Sequence, residues 1–409
     1  MRILIVSQYF WPENFRVNDL AAELSTRGHQ VSVLTGVPNY PEGRIFEDFA
    51  RSPKKYANHG GIDILRVPLV PRGKGAFRLI VNYFSFALSA CLFGVSKVAG
   101  RQYDVIFVYQ PSPITIGIPA ILLKCIKKTP IVFWVLDLWP ETLQAVGVIQ
   151  SPFLLKMVGM LVKFIYRHCD LILAQSQSFI KGIGKYCGDR EKIRYFPSWS
   201  EELFNQQVVA AATEIEKRVN GFTIMFAGNI GDAQDFPTIL SAAEQLRHRP
   251  EIRWIIVGDG RMASWVKEQI AARELQGNVI MAGRHPLSRM PSFFAHADAL
   301  LVSLKANEVF SMTIPGKIQT YLSSGLPIIG ALDGEGQRVV REAGAGYTCR
   351  AGDARGLAAM VDKMAGLSRE DRNAMGKAGK EYYAAEFEKK LLIDKLESYF
   401  NEMRAVSRK

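Results

Sequence analysis

A chain of 409 residues is too long for one ordinary hydrophobic core and predicts two domains. With 48% hydrophobic and 22% charged residues it has globular composition, which excludes a disordered chain. Five scattered cysteines (91, 125, 169, 187 and 349), never in a CxxC pair, argue against a zinc site or a disulfide framework and for reduced thiols in the cytosol.

The net charge of +12 is unevenly spread. Residues 1–200 hold 24 Lys and Arg against 13 Asp and Glu, whereas residues 201–409 hold 27 against 26. The basic first half points to an anionic membrane surface or a phosphorylated substrate. Nucleic acid ranks lowest, since no zinc finger, RNA-binding sheet motif or basic heptad region is present.

The opening MRILIVSQYF has one Arg and a short apolar run before Pro12 and Glu13, and reads as a first strand, not a secretory leader. After the polar turn QYFWPEN comes a helical pattern, Val17, Leu20, Ala21, Leu24, closed by Arg27-Gly28-His29. A second strand follows at 31–35. This β–loop–α–β order begins a doubly wound parallel sheet. Further strands are predicted at 62–67, 104–109, 130–135 and 170–174, with helices at 114–124, 152–168 and 177–186.

Residues 79–96, LIVNYFSFALSACLFGVS, run 18 positions without a charge between Arg78 and Lys97. That length is just enough to span a bilayer, but Asn82, the serines and the position inside an α/β domain favour a helix with one apolar face on a membrane. The basic turn Arg72-Gly-Lys74…Arg78 adjoins it, and 152–168 is a second basic, amphipathic candidate. Plain core helices are the alternative for both.

Near 188–205 the pattern loosens, and a second βα series begins after the polar stretch 200–220. Strand 222–227 leads to Gly228-Asn-Ile-Gly231 and a helix at 236–247. Strand 252–257 leads to Gly258-Asp-Gly-Arg261 and another helix. Strands at 278–282, 298–303 and 346–349 follow, and a last helix over 388–403 either completes the second domain or returns to the first. The domain boundaries expected are 1–199, 200–387 and 388–409. Ligands of open α/β sheets bind outside the carboxyl ends of the strands, so the expected site is a cleft between two such domains.

The stretch from Thr313 to Gly330, TIPGKIQTYLSSGLPIIG, carries the most chemistry. Pro315 suits a first helical turn, whose outward-pointing amides form an anion site, and Lys317 adds a charge. The Gly-rich turns at 228–231 and 258–260 converge on the same edge, with Arg261, Arg284 and Lys305 nearby. Tight βα turns use glycine for steric reasons alone. Three together, with these cations, favour a ligand bearing phosphate.

These segments resemble the retaining glycosyltransferases of family 4. The carriers are Leu20-Ala21…Leu24…Arg27-Gly28-His29-x-Val31-x-Val33-x-Thr35 in the first half. In the second they are Phe226-Ala-Gly-Asn-Ile-Gly231, Val257-Gly-Asp-Gly260, Ala297-Asp298…Leu301-Val302 and Ser324-Gly325-Leu326-Pro327-Ile328. Closer still, SQYFWPENFRVNDLA, LDLWPET and the Thr313–Gly330 stretch are similar to the WbuB-type subgroup of bacterial O-antigen and capsule transferases, often described as N-acetyl-L-fucosamine transferases. The resemblance implies a GT-B fold of two Rossmann-like parallel-sheet domains facing a cleft, the first for acceptor and the second for nucleotide sugar. It also implies transfer from a UDP-linked donor to a polyprenyl-diphosphate-linked saccharide, at the inner face of the cytoplasmic membrane, with no cofactor and no metal.

The local reading and the resemblance together place the donor site at Gly228, Asn229, Gly231, Gly258, Asp259, Arg261, Lys305, Thr313, Pro315, Gly316 and Thr320. The chain departs from the family at four of its positions. Thr320 stands where the ribose-binding second Glu of the EX7E motif belongs, and the first Glu falls at Met312, with Glu308 as its displaced counterpart. Asn229 and Gln234 occupy the places of an Arg and Lys diphosphate clamp.

For the chemistry, Lys317 is expected to stabilise the leaving diphosphate, unless it is only a solvated helix-start lysine. Asp137, at the end of strand IVFWV, would hydrogen-bond the donor sugar or the acceptor hydroxyl, or else cap the next turn. Glu13, Asn14 and Arg16, in the loop after strand 1, are the acceptor-side candidates, and His29 is expected to be structural. A sugar-nucleotide epimerase of the same shape, or a nucleotide-sugar-binding protein without activity, are the competing readings.

Overall fold

The structure is a computed structural model; it describes residues 1–73, 75–205, 209–216 and 220–407. The chain divides into two compact units, residues 1–196 together with the final segment from Leu392, and residues 197–391.

The first unit is built on an eight-stranded sheet: β1 (Arg2–Val6), β2 (Gln30–Gly36), β3 (Asn58–His59), β4 (Ile62–Val67), β5 (Val105–Gln110), β6 (Ile131–Val135), β7 (Leu171–Ala174) and β8 (Ile193–Tyr195). The spatial order is β3-β4-β2-β1-β5-β6-β7-β8, parallel throughout except for the β3–β4 hairpin. The central strands β5, β6 and β7 bury both faces, which is why their sequences are nearly continuous apolar runs, whereas β4 (IDILRV) alternates, with Asp63 exposed. Two strands escaped the sequence reading. β3 has only two residues, and β8, three residues long, is embedded in the polar run GDREKIRYFPSWS.

The last helix, Lys389–Ser407, starts in the second unit and packs on the first. Phe400 meets Phe107 edge-on at 5.7 Å between ring centroids. Arg27 bonds Asp394 and Glu397, and His29 Nε2 lies 2.6 Å from Glu397 Oε1. The Arg-Gly-His turn is therefore a clasp for the last helix.

Helix Ala76–Lys97 covers the uncharged stretch and extends three residues before it and one after. Asn82 is buried on its inner face, where its Oδ1 accepts Gln8 Nε2 at 2.7 Å and its Nδ2 donates to the Val70 carbonyl at 2.7 Å. Tyr83, Phe86, Ala87 and Ala90 are buried with it. One face of this helix belongs to the core. Lys74, in the basic turn before it, lies outside the described residues.

The second unit holds a six-stranded, wholly parallel sheet: β9 (Phe222–Ala227), β10 (Ile252–Val257), β11 (Val279–Gly283), β12 (Ala299–Ser303), β13 (Ile328–Ala331) and β14 (Gly346–Cys349). The order is β11-β10-β9-β12-β13-β14. Alternate residues feed separate cores on the two faces, Ile224 and Phe226 on one, Met225 and Ala227 on the other. The chain moves outward from β9 to β11, then jumps back to β12. The strand order therefore reverses beside the carboxyl end of β9, the position where such sheets bind ligands.

Candidate functional site

Backbone contact shapes the turns after β9 and β10. Gly228 and Gly258 have φ of +136° and +147°, and a Cβ on Gly258 would sit 1.9 Å from the Gly228 carbonyl oxygen. On Gly228 it would meet Lys317 Cε at 2.7 Å. Only glycine allows the two turns and the lysine to approach so closely. Gln234 Oε1 accepts the Gly231 N–H at 3.1 Å and lies 3.5 Å from Asn229 Nδ2. The positions expected to hold a cationic clamp are thus filled by two neutral amides that staple the turn.

Helix Gly316–Ser324 begins one residue later than expected, because Pro315 is its N-cap, with ψ 134°, and not a first-turn residue. Proline has no side-chain acceptor, so the first-turn amides carry no side-chain cap. Ile318 N–H turns back to the Pro315 carbonyl at 2.8 Å, leaving the Gly316 and Lys317 amides at the mouth of the helix. At the other end Gly325 adopts φ +74° and stops the helix before β13, the conformation for which glycine is favoured at a helix end.

Lys317 is not solvated. Its Nζ is buried without a hydrogen-bond partner, 3.5 Å from the centroid of the Phe226 ring. Burial lowers its pKa to about 7. An ammonium in that setting has only an aromatic face to offset lost hydration, and gains most from an anion.

Above it opens a cavity of about 570 Å³ lined, among others, by Gly228, Asn229, Gly258, Asp259, Lys317 and Thr320, six of the expected site positions. On the opposite wall, which follows β11, sequence reasoning placed Arg284 near the site but missed His285, Leu287, Met290 and Phe294, and also the contributions of Glu201 and Phe204. Arg284-His-Pro-Leu287 is a turn at a strand's carboxyl end, the one signal available.

Seven expected positions do not line this cavity: Gly231, Arg261, Lys305, Glu308, Thr313, Pro315 and Gly316. Lys305 is bound to Asp232 at 2.5 Å, which offsets its charge. Arg261 and Glu308 are exposed, Glu308 as the first residue of a short helix capped by Asn307. The Thr313 hydroxyl donates to the Val309 carbonyl at 3.1 Å and closes that helix. Gly231 is buried beneath its turn.

In the first unit Asp137 follows β6, and its Oδ2 accepts Trp139 Nε1 at 3.0 Å, with the hydroxyls of Thr142 and Ser112 beside it. Burial raises its pKa despite these donors. Glu13 is buried and bonded to the backbone. Its Oε1 accepts the N–H groups of Asn39 and Tyr40, each at 2.8 Å, and its Oε2 accepts Phe10 N–H at 3.2 Å. Burial lifts its pKa to about 7 against the pull of those bonds. With three backbone N–H groups held by one carboxylate, Glu13 ties together the loops after β1 and β2. Asn14 is exposed next to it, and Arg16 opens the helix Arg16–Thr26.

Two α/β units with largely parallel sheets, and a cavity over a buried lysine at the carboxyl edge of the second, match the GT-B class of glycosyltransferase. The chain is a glycosyltransferase of this class, matching the Glycosyl transferase 4-like domain over residues 14–199 and Glycosyl transferases group 1 over residues 211–382. It is similar to the Escherichia coli (strain K12) protein WcaI, which carries the name of a colanic acid biosynthesis glycosyl transferase: 24% identity over 340 residues, covering 80% of this chain and 82% of WcaI. It is 21% identical over 346 residues to the alpha-monoglucosyldiacylglycerol synthase of Streptococcus pneumoniae, covering 80% of this chain and 70% of the synthase. Among solved structures, Anabaena HepE in complex with UDP matches with a TM-score of 0.70 at 16% identity, covering 98% of this chain and all of that one. WaaG, a glycosyltransferase of lipopolysaccharide biosynthesis, matches with a TM-score of 0.60 at 13% identity, covering 93% and 95%.

Proposed function

We propose that this enzyme transfers a sugar, with retention of anomeric configuration, from a UDP-linked donor to a polyprenyl-diphosphate-linked saccharide at the inner face of the cytoplasmic membrane, in surface polysaccharide synthesis. The observation that carries the reading is the buried, unpartnered Lys317 ammonium beside an uncapped helix start. Both stabilise a diphosphate that gains charge as the glycosidic bond breaks, and both are in place before reaction. No metal has a part in this scheme.

The cavity suits a nucleotide: Leu287, Met290 and Phe294 offer a flat apolar wall for a base, and Thr320 a hydroxyl for the ribose. In the first unit Asp137 serves the sugar or the acceptor hydroxyl. Its raised pKa makes the ionised carboxylate a better proton acceptor than an exposed one. HepE is named with bound UDP and WcaI for polysaccharide synthesis, which favours this donor and this product class. The sugar we propose is N-acetyl-L-fucosamine, on the likeness of three segments to the WbuB-type subgroup.

The test is incubation of the purified enzyme with a panel of UDP-sugars and a lipid-diphosphate saccharide, with NMR of the product. Transfer with retention is expected. An inverted product would overturn the mechanism, free epimer without acceptor would indicate an epimerase, and donor binding without turnover a non-catalytic protein.

A further inference from the structure

The first unit carries two helices whose outward faces are apolar and uncovered. On Ala76–Lys97 the residues Phe77, Phe84, Leu88 and Leu92 are each more than half exposed. Their spacing of 7, 4 and 4 sets them in one stripe along the helix. On Pro152–His168 Phe153, Met157, Met160 and Phe164, spaced 4, 3 and 4, are each about half exposed or more. Helix Gly117–Lys127 touches both, so the three form one layer, and its Ile126 is also about half exposed.

Soluble proteins seldom expose apolar area in so continuous a form without something to cover it. The charges around it narrow the choice. The three helices contain seven Lys and Arg and no Asp or Glu. On Pro152–His168 the exposed Lys156, Lys163 and Arg167 run along one flank of the apolar stripe. Lys124 alone is neutralised by an ion pair shown here, with Asp170 at 2.6 Å.

A second copy of this surface would bring like charges together, and a protein partner would need an acidic rim matched to it. An anionic bilayer meets both demands: Phe, Leu and Met enter the acyl boundary while Lys and Arg reach up to the phosphates. The 77–97 stretch is long and apolar enough to cross a membrane. It would then have to withdraw Asn82 from Gln8 and from the Val70 carbonyl, and strip Phe86 and Ala90 from the core. Lying flat keeps all of these contacts.

We infer that the layer formed by helices Ala76–Lys97 and Pro152–His168 is a monotopic docking face for anionic phospholipid, which holds the enzyme where a lipid-linked acceptor resides. Its purpose rests on the acceptor proposed above, whereas the docking is measurable without any transfer.

The experiment is flotation of the full-length enzyme with phosphatidylglycerol-rich or phosphatidylcholine vesicles, together with transfer to a short-chain, water-soluble acceptor analogue. Wild type is expected to float with the anionic vesicles at low salt and to lose most of that binding at 0.5 M salt or on phosphatidylcholine. Phe84→Ser with Leu88→Ser, and Lys156→Glu with Lys163→Glu, are each expected to lower binding at least tenfold at unchanged circular dichroism and unchanged transfer to the soluble acceptor. Wild type left at the bottom of the gradient, variants that float equally well, or dimerisation relieved by the serine variants would overturn the inference. Vesicle binding without transfer to any acceptor would instead remove the functional reading and leave the docking face standing.

Discussion

Replacing Lys317 by Met should stabilise the ligand-free enzyme while removing its response to UDP. An amine that deprotonates near 7, not at its ordinary 10.5, is protonated in the unfolded chain across that window and largely neutral in the folded one. Stability therefore rises with pH between about 7 and 10.5, and the penalty is fully present below 7. It amounts to roughly 4 kcal/mol at pH 7 and about 1 kcal/mol at pH 10. The Phe226 face returns on the order of 1 kcal/mol while the amine is charged.

Methionine keeps the length of the chain without the ammonium, so the variant should gain roughly 3 kcal/mol at pH 7, or roughly 6–12 °C in Tm for a unit of this size. The advantage should nearly vanish at pH 10. Saturating UDP should raise the wild-type Tm by mass action and leave that of the variant unchanged. Thermal melts at pH 7 and 10, with and without UDP, read all of this. A variant that melts below wild type at pH 7, or an advantage that persists at pH 10, would refute the account of a strained, anion-seeking lysine.

Asp137→Asn keeps an acceptor for Trp139 Nε1 and should leave the melting curve near wild type while lowering kcat by roughly 10²-fold or more; steady-state transfer assays decide. Gly258→Ala forces a Cβ onto the Gly228 carbonyl at 1.9 Å from a left-handed φ, and should destabilise by about 3 kcal/mol or prevent folding, measured by urea unfolding. Glu13→Ala strips three backbone donors of their acceptor at about 1 kcal/mol each. Its Tm should fall by several degrees while the KM for donor stays unchanged, since Glu13 belongs to the first unit's loops.

Much of this enzyme is legible one residue at a time. Continuous apolar runs mark the central strands such as β5, β6 and β7, because strands buried on both faces can admit little else. Gly325 announces the end of its helix by the one conformation it adopts without strain. The turns Gly228–Gly231 and Gly258–Gly260 and the helix start at 316 follow from local chemistry, and so does the basic character of the first half. Local chemistry misplaced Pro315 by one position, since a residue that favours a first turn is equally at home at the cap.

Tertiary structure decided what those residues do. Lys305 and Lys317 are equal as sequence, yet the fold gives one an aspartate and the other a ring face. Glu13 seemed to be a loop carboxylate open to a ligand until the β2 loop brought it Asn39 and Tyr40. The wall at Arg284–Phe294 and the clasp of His29 on Glu397 depend on segments far apart in the chain. Periodicity and composition report which face of an element is apolar; what that face or charge meets is set by long-range packing, which no local window of sequence contains.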